Sequence, residues 1–165
     1  MPKSKKHVVR LKVNQQLYYK EVEPTELLLN VLRRKIGLTG PKPGCLNGDC
    51  GACTVIIDNR PTKSCLMLAV EAKDKEITTI EGLDHTPIQE AFVTHFAFQC
   101  GYCTPGFIMN CQALLEDDPN PSDEKIRTWL SSNICRCTGY AEIEQAIKSV
   151  IHYAGTRNSH RNDGV

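Results

Sequence analysis

Three cysteines lie within nine positions of this chain, at Cys45, Cys50 and Cys53, and they constrain its structure more than any other feature. With Cys65 they give the spacing C-x4-C-x2-C-x11-C. The first three follow the spacing by which plant-type sites hold a [2Fe-2S] cluster. The glycines between them allow the backbone to wrap closely around a small object and to aim its N–H groups at sulfur. The sequence therefore predicts a cluster-binding loop.

Two further cysteine pairs lie at predicted helix junctions in the second half of the chain. Cys100 and Cys103 form C-x2-C, and Cys135 and Cys137 form C-x-C. Two loops at one end of an antiparallel bundle can bring these pairs together as a second four-thiolate site, because nearby helix N-termini partly offset the negative charge. The ninth cysteine, Cys111, lies on an apolar helical stripe and is predicted to be a buried core thiol.

Two structural zinc sites of four thiolates each are the competing interpretation, since C-x2-C is also a zinc spacing. The glycine-rich triple and the tight C-x-C pair favour iron–sulfur ligation over zinc. A redox-active dithiol at Cys100 and Cys103 would require a βαβ context, whereas the surrounding sequence has helical periodicity.

Charge and composition narrow the choice of partner and compartment. The chain has 20 Lys and Arg residues and 19 Asp and Glu residues, so its formal net charge is +1. A charge this close to zero gives no support for a nucleic-acid or membrane-surface partner. No apolar run approaches the length needed to span a bilayer, and no apolar segment follows the basic first residues. An odd number of cysteines also argues against a complete disulfide framework. We therefore expect a soluble, cytoplasmic protein without a membrane span.

The first half of the sequence shows strand and helix patterns in turn. Alternating apolar residues at 9–13 and again at 17–22 predict a β-hairpin. A helix is expected to open at residues 24–26 and to end at Gly37. Three further apolar runs are predicted strands, with a turn at residues 59–61: residues 54–57, 65–70 and 76–80. This order predicts a small α+β unit of the plant-type ferredoxin, or β-grasp, type.

Beyond residue 85 the apolar spacing becomes helical. Thr86, Pro87 and Gln89 form a capping box with proline at the first helical position. The helix they begin is expected to run to about Phe98. Three more helices are predicted: residues 104–118, a short helix capped by Ser122, and a last helix ending near Gly155.

These patterns divide the chain into two predicted domains and a tail. Residues 1–82 form the plant-type [2Fe-2S] ferredoxin domain, and residues 83–155 form a four-helix [2Fe-2S]-binding domain. Residues 156–165 lack apolar periodicity and are expected to be disordered. The predicted fold class is α+β, with an N-terminal β-grasp domain and a C-terminal all-α four-helix bundle.

Several motifs together resemble the small iron–sulfur subunit of the molybdenum hydroxylase (xanthine oxidase) family. They are LTG at 38–40, GC at 44–45, GDCGACTV at 48–55, SC at 64–65, QCGYCTPG at 99–106 and CRCTGY at 135–140. The resemblance covers about residues 8–153, and two cysteine signatures are more specific than one. In that family an N-terminal ferredoxin-like domain and a C-terminal four-helix bundle each hold one [2Fe-2S] cluster.

The resemblance implies ligand roles for eight cysteines. They are Cys45, Cys50, Cys53 and Cys65 for the N-terminal cluster, and Cys100, Cys103, Cys135 and Cys137 for the C-terminal cluster. Gln99 and Cys137 match positions that contact the pterin in the family. Gln99 is also compatible with a plain helix-end role, in which its amide satisfies local backbone groups.

The resemblance also implies partners, in which the substrate chemistry would take place. A large subunit would carry molybdopterin beside the second cluster, and a medium subunit would carry FAD nearer the first, in a dimer of heterotrimers. This chain would then relay electrons from molybdenum through two [2Fe-2S] clusters to FAD. The sequence contains no nucleophile and base constellation or dinucleotide fingerprint of its own. The alternatives are a freestanding ferredoxin-like carrier and a zinc-stapled binding module.

Overall fold

The computed structural model describes residues 5–159, including the side chains of residues 5–152. The strands are β1 (His7–Val13), β2 (Gln16–Val22), β3 (Thr54–Ile57), β4 (Arg60–Lys63) and β5 (Glu76–Thr78). The helices are α1 (Leu28–Asn30), α2 (Pro87–Thr94), α3 (Thr104–Asp117), α4 (Asp123–Leu130) and α5 (Ala141–Ser159). Short 3₁₀ turns cover Ala69–Ala72 and Ile80–Gly82. The α+β class is confirmed, and no helix within residues 5–159 has the length and hydropathy needed to cross a membrane.

The five strands form one mixed sheet in the order β2-β1-β5-β3-β4. β1 runs parallel to β5, whereas the other neighbouring pairs are antiparallel. Both hairpins close through two residues of positive φ, as type I′ turns require: Asn14 (50°) with Gln15 (64°), and Asp58 (49°) with Asn59 (65°). The first hairpin confirms the prediction, and the second turn, at residues 58–59, begins one residue before the predicted range of 59–61.

Residues 65–70 do not form a strand, so that prediction is wrong. The strand after the turn is β4, and the chain then bends inward and buries Cys65. Residues 67–69 instead form backbone hydrogen bonds with residues 26–28, on the segment before the first helix. The strand propensity of this segment does not determine its conformation, because Cys65 packs against Leu29 and the following residues bond to residues 26–28.

The first helix also begins later than predicted. Residues 24–26 are not helical, since this segment bonds to residues 67–69, and the helix starts at Leu28. Its continuation, Val31–Ile36, is π-helical, which the apolar spacing does not reveal. Gly37 ends the helix as predicted, with φ of 94° and its N–H bonded to the Leu32 carbonyl at 3.0 Å.

Side chains begin α2 and α4 as the sequence predicts. Gln89 Oε1 accepts from the Thr86 N–H at 2.8 Å, which is half of the capping box. Ser122 Oγ accepts from the Lys125 N–H at 3.2 Å. Both bonds satisfy N–H groups that a helix end leaves without an internal partner.

Two predicted helix ends are wrong. α2 ends at Thr94 rather than near Phe98, because Phe96 takes a φ of 51° and Ala97 then turns into the core. α5 continues through Gly155 to Ser159. Of the predicted disordered tail, residues 156–159 are therefore helical and residues 160–165 lie outside the described part of the chain.

β3 is buried on both faces and joins the two halves of the chain. Val55 and Ile57 pack into the core between the sheet and the first helix. Ile56 faces the other way and packs against Met109 and Ala113 of α3. This explains why residues 54–57 form an apolar run instead of alternating with polar residues.

The start of α3 lies directly against the cysteine loop before β3. A Cβ at Gly106 would overlap the Gly51 carbonyl oxygen, which is backbone and cannot move aside as a side chain can. The absence of a side chain at Gly106 therefore permits the close approach.

We expect Gly106→Ala to destabilise the fold by about 1–3 kcal/mol through overpacking. This loss should appear even though alanine has a higher helix propensity than glycine, by about 1 kcal/mol. Urea unfolding followed by circular dichroism measures the change. Gly139→Ala is the control, since a Cβ there would have nothing within 4 Å. Equal stability of the two variants would contradict the close contact.

Candidate metal centres

The first cysteine site lies where the loop after the first helix meets the β3–β4 hairpin. Cys53 immediately precedes β3, and Cys65 follows β4 after one intervening residue. Ser64 Oγ donates to the Cys53 carbonyl at 2.7 Å, and both cysteines are buried against Leu29. Burial raises the pKa of the Cys65 thiol to about 11, and a hydrogen bond with Cys53 adds to the rise. The hairpin thus builds one buried thiol pair.

Cys45 and Cys50 form a second, more exposed pair in the same site. The Cys45 N–H donates to Cys50 Sγ and the Cys50 N–H to Cys45 Sγ, each at 3.3 Å. The N–H of Cys50, followed by those of Asn47 and Asp49, lowers the pKa of the Cys45 thiol to about 7. A lower pKa favours the thiolate, which is the form that binds metal.

The second cysteine site also consists of two pairs. Cys100 Sγ and Cys137 Sγ lie 3.5 Å apart and are exposed. Cys103 is hydrogen-bonded to Cys135, and burial first, then this bond, raises the pKa of Cys103 to about 12. Each pair takes one cysteine from the α2–α3 loop and one from the α4–α5 loop. The structure therefore brings together the four thiols that the sequence predicts for this site.

Tyr140 and Thr138 hold the second loop in shape. The Cys135 N–H donates to the Tyr140 hydroxyl at 3.0 Å, and the Tyr140 ring packs edge-on against Phe107 with 6.2 Å between centroids. The Thr138 N–H donates to Cys135 Sγ at 3.4 Å. Burial raises the pKa of Cys135, but hydrogen bonds from Thr138, the Cys137 backbone and Cys103 together outweigh it, so the pKa is lowered overall. The sequence pattern assigned no role to Tyr140.

This donor set fits a two-iron cluster at each site. Among the described side chains, residues 5–152, no three Cys, His, Asp or Glu side chains are grouped as ligands of a single metal ion. The thiols instead form pairs, and a [2Fe-2S] cluster takes two cysteines on each iron. Thr104 Oγ1, next to Cys103, is buried without a hydrogen-bond partner in the described structure. An additional acceptor, such as a cluster sulfur, would account for that unpaired hydroxyl.

Direct hydrogen bonds join the two cysteine loops. The Ile134 N–H donates to the Cys50 carbonyl at 2.9 Å. The amide of Asn133, which is buried, donates to the Gly51 carbonyl at 3.1 Å. Lys63 Nζ donates to the Ser132 carbonyl. No sequence motif predicted these contacts, because they link residues more than sixty positions apart in the chain.

Gln99 and Cys137 lie at the exposed rim of the second site. Gln99 is exposed and directly precedes Cys100. Large apolar side chains around these loops are also exposed, namely Phe96, Phe98, Tyr102, Ile134 and Tyr140. By contrast, Cys111 is buried within α3, in the helical core, as predicted. The rim of the second site thus presents an apolar surface to the outside.

Comparisons with known proteins agree with the cysteine geometry. Residues 79–148 match a family described as a [2Fe-2S] binding domain. The chain is 43% identical over 150 residues to the nicotinate dehydrogenase small FeS subunit of Eubacterium barkeri, covering 88% of this chain and 96% of that one.

Two solved structures have the same fold. Quinoline 2-oxidoreductase from Pseudomonas putida 86 matches with a TM-score of 0.86 and 40% identity, over 93% of this chain and 98% of that chain. The aldehyde oxidoreductase from Desulfovibrio desulfuricans matches with a TM-score of 0.85 and 39% identity, over 90% of this chain but 17% of that chain. The fold therefore occurs both as a separate chain and as part of a much longer one.

Cys111→Ala should leave both cysteine sites able to bind metal. Cys111 is 1% exposed, and burial raises the pKa of its thiol to about 12, so it packs as a neutral side chain. We expect unchanged iron content and a stability loss of roughly 1–2 kcal/mol from the removed volume. Cys65→Ala, at an equally buried position, should lose iron. Loss of iron from Cys111→Ala as well would make Cys111 a ligand.

Proposed function

The chain belongs to the small iron–sulfur subunits of the molybdenum hydroxylase family. We propose that it accepts electrons from molybdenum on one partner subunit. In this proposal the electrons pass through two [2Fe-2S] clusters to FAD on another partner subunit. The chain is an electron-transfer [2Fe-2S] subunit of an oxidoreductase. The observation that carries the two-cluster proposal is that eight thiols form two groups, each made of two pairs.

Eight cysteines are the proposed ligands, in two sets. They are Cys45, Cys50, Cys53 and Cys65 in the first site, and Cys100, Cys103, Cys135 and Cys137 in the second. When bound, each cluster supplies one-electron chemistry. The chain's own contribution is to hold the thiols and to aim N–H groups of Cys45, Cys50 and Thr138 at sulfur, which stabilises added negative charge.

The exposed rim of the second site supports the assignment of its partner. Phe96 is 77% exposed, Ile134 50% and Tyr102 46%, and such a grouping of apolar side chains is typical of a protein interface. In our proposal the large molybdopterin-binding subunit covers this rim, with Gln99 and Cys137 contacting the pterin. The medium FAD-binding subunit then lies nearer the first site.

A stable complex is favoured over a freestanding carrier. The aldehyde oxidoreductase carries the same fold inside one longer chain, which supports permanent association with the catalytic part. We propose a dimer of heterotrimers in the cytoplasm.

The substrate would be bound by the molybdenum-carrying partner rather than by this chain. The relatives are named for nicotinate, quinoline and aldehyde oxidation, so these three chemical classes are the first to assay with the complex. Since the relatives share this subunit but differ in named substrate, the small subunit does not determine the substrate in our proposal.

The purified chain should contain about four irons, two for each cluster, and its reduced form should show two paramagnetic species. Iron analysis and electron paramagnetic resonance (EPR) spectroscopy measure both quantities. Cys65→Ala and Cys137→Ala, which remove the donor atom, should each abolish a different species. A colourless chain that contains zinc would contradict the proposal, and so would a single species.

Gln99→Ala in the complex should slow reduction of the second cluster by about three- to tenfold after substrate is added, because one interfacial hydrogen bond is lost. Iron content should not change. Stopped-flow absorption measures the rate. Gln112→Ala is the matched control, since the Gln112 amide donates to the exposed Glu116 carboxylate at 2.8 Å within α3, away from the cysteine loops. Equal rates in the two variants would assign Gln99 a local structural role.

A further inference from the structure

Lys63, the last residue of β4, lies between the two cysteine sites. It pairs with Thr54 across the hairpin, two positions before Cys65. A Cβ built on Gly51 would lie 2.7 Å from Lys63 Nζ. Because Gly51 lies between Cys50 and Cys53 in the chain, the ammonium group lies against the loop that carries the first site.

The Lys63 ammonium reaches the second site only at its edge. Lys63 Nζ donates to the Ser132 carbonyl, three residues before Cys135. Its electrostatic neighbours are the thiols of the first site: Cys53, Cys50, Cys65 and Cys45. Burial lowers the pKa of Lys63, and these thiols act in the opposite direction. The positive charge therefore acts on the thiols of the first site, whereas the group it contacts beside the second site is the neutral Ser132 carbonyl.

We propose that Lys63 raises the reduction potential of the first cluster relative to the second and thereby directs electrons toward the first. This inference rests on the proposed two-cluster function. With clusters held by the two groups of cysteines, one electron would pass from the second, which would be oxidised, to the first, which would be reduced, without a change in bonds or protons. The first site then gains one negative charge, which a nearby ammonium group stabilises.

Partial burial makes this charge effective. An exposed lysine is screened by water and salt, whereas a half-buried one is screened less. Lys63 also differs from an ordinary surface lysine in its fixed position, because the Ser132 carbonyl and the Gly51 turn confine the ammonium group. Lys63 is thus a positioning and charge-tuning residue, not a ligand.

Two substitutions separate the charge from the hydrogen bond. Lys63→Gln is neutral but keeps an N–H donor for Ser132, and Lys63→Arg keeps the charge. In the complete complex, with the potentials measured by EPR-monitored redox titration, we expect Lys63→Gln to weaken electron uptake by the first cluster about tenfold, a fall of about 59 mV for one electron. The second cluster should shift by less than a third of that, and Lys63→Arg should restore most of the difference.

Lys12→Gln is the matched control, since Lys12 lies on β1 and pairs with Glu76 at an exposed position. Unchanged potentials in Lys63→Gln, or equal shifts of both clusters, would overturn the proposal. So would loss of the clusters from Lys63→Gln, because the proposal gives Lys63 no part in assembly. Iron analysis of the wild-type complex distinguishes this failure from failure of the two-cluster function, which would appear as a wild type lacking one cluster.

Discussion

The hydrogen bond from the Ile134 N–H to the Cys50 carbonyl, 2.9 Å long, holds the two cysteine loops against each other. Asn133 adds a buried bond to the next carbonyl, that of Gly51. Leaving a buried group of this kind unpaired would cost about 1–3 kcal/mol, so the loops are strongly favoured in this one arrangement. The two groups of thiols consequently lie on loops that are hydrogen-bonded to each other, as electron transfer between the two proposed clusters would require.

The rest of the fold delivers these loops to the same place. β3 is buried on both faces, against the first-half core on one side and against α3 on the other. Gly106 then lets the start of α3 approach the turn at Gly51. Packing thus links the sheet to the helices through the same segments that carry Cys53 and Cys103. A substitution that disturbs this interface should therefore change the geometry of both cysteine sites.

Some of this arrangement could be predicted from the sequence and some could not. Cysteine spacing predicted which thiols gather, since ligands of one small object recur at short intervals, and capping residues predicted the starts of α2 and α4. Strand propensity failed at residues 65–70, where tertiary hydrogen bonds decide the conformation. The proposed role of Lys63 could not be predicted from the sequence. Its hydrogen-bond partner Ser132 is 69 positions away, and no local sequence pattern indicates a contact between two such distant residues.

The thiols lie in four pairs. We propose that these pairs hold two clusters and that substrate chemistry belongs to partner subunits. Anomalous diffraction at the iron absorption edge, from crystals of the complex, tests this account most directly. The account predicts two iron atoms among Cys45, Cys50, Cys53 and Cys65, and two more among Cys100, Cys103, Cys135 and Cys137. A single metal ion in either group, or anomalous signal that is absent just above the iron edge and appears only above the zinc edge, would contradict it.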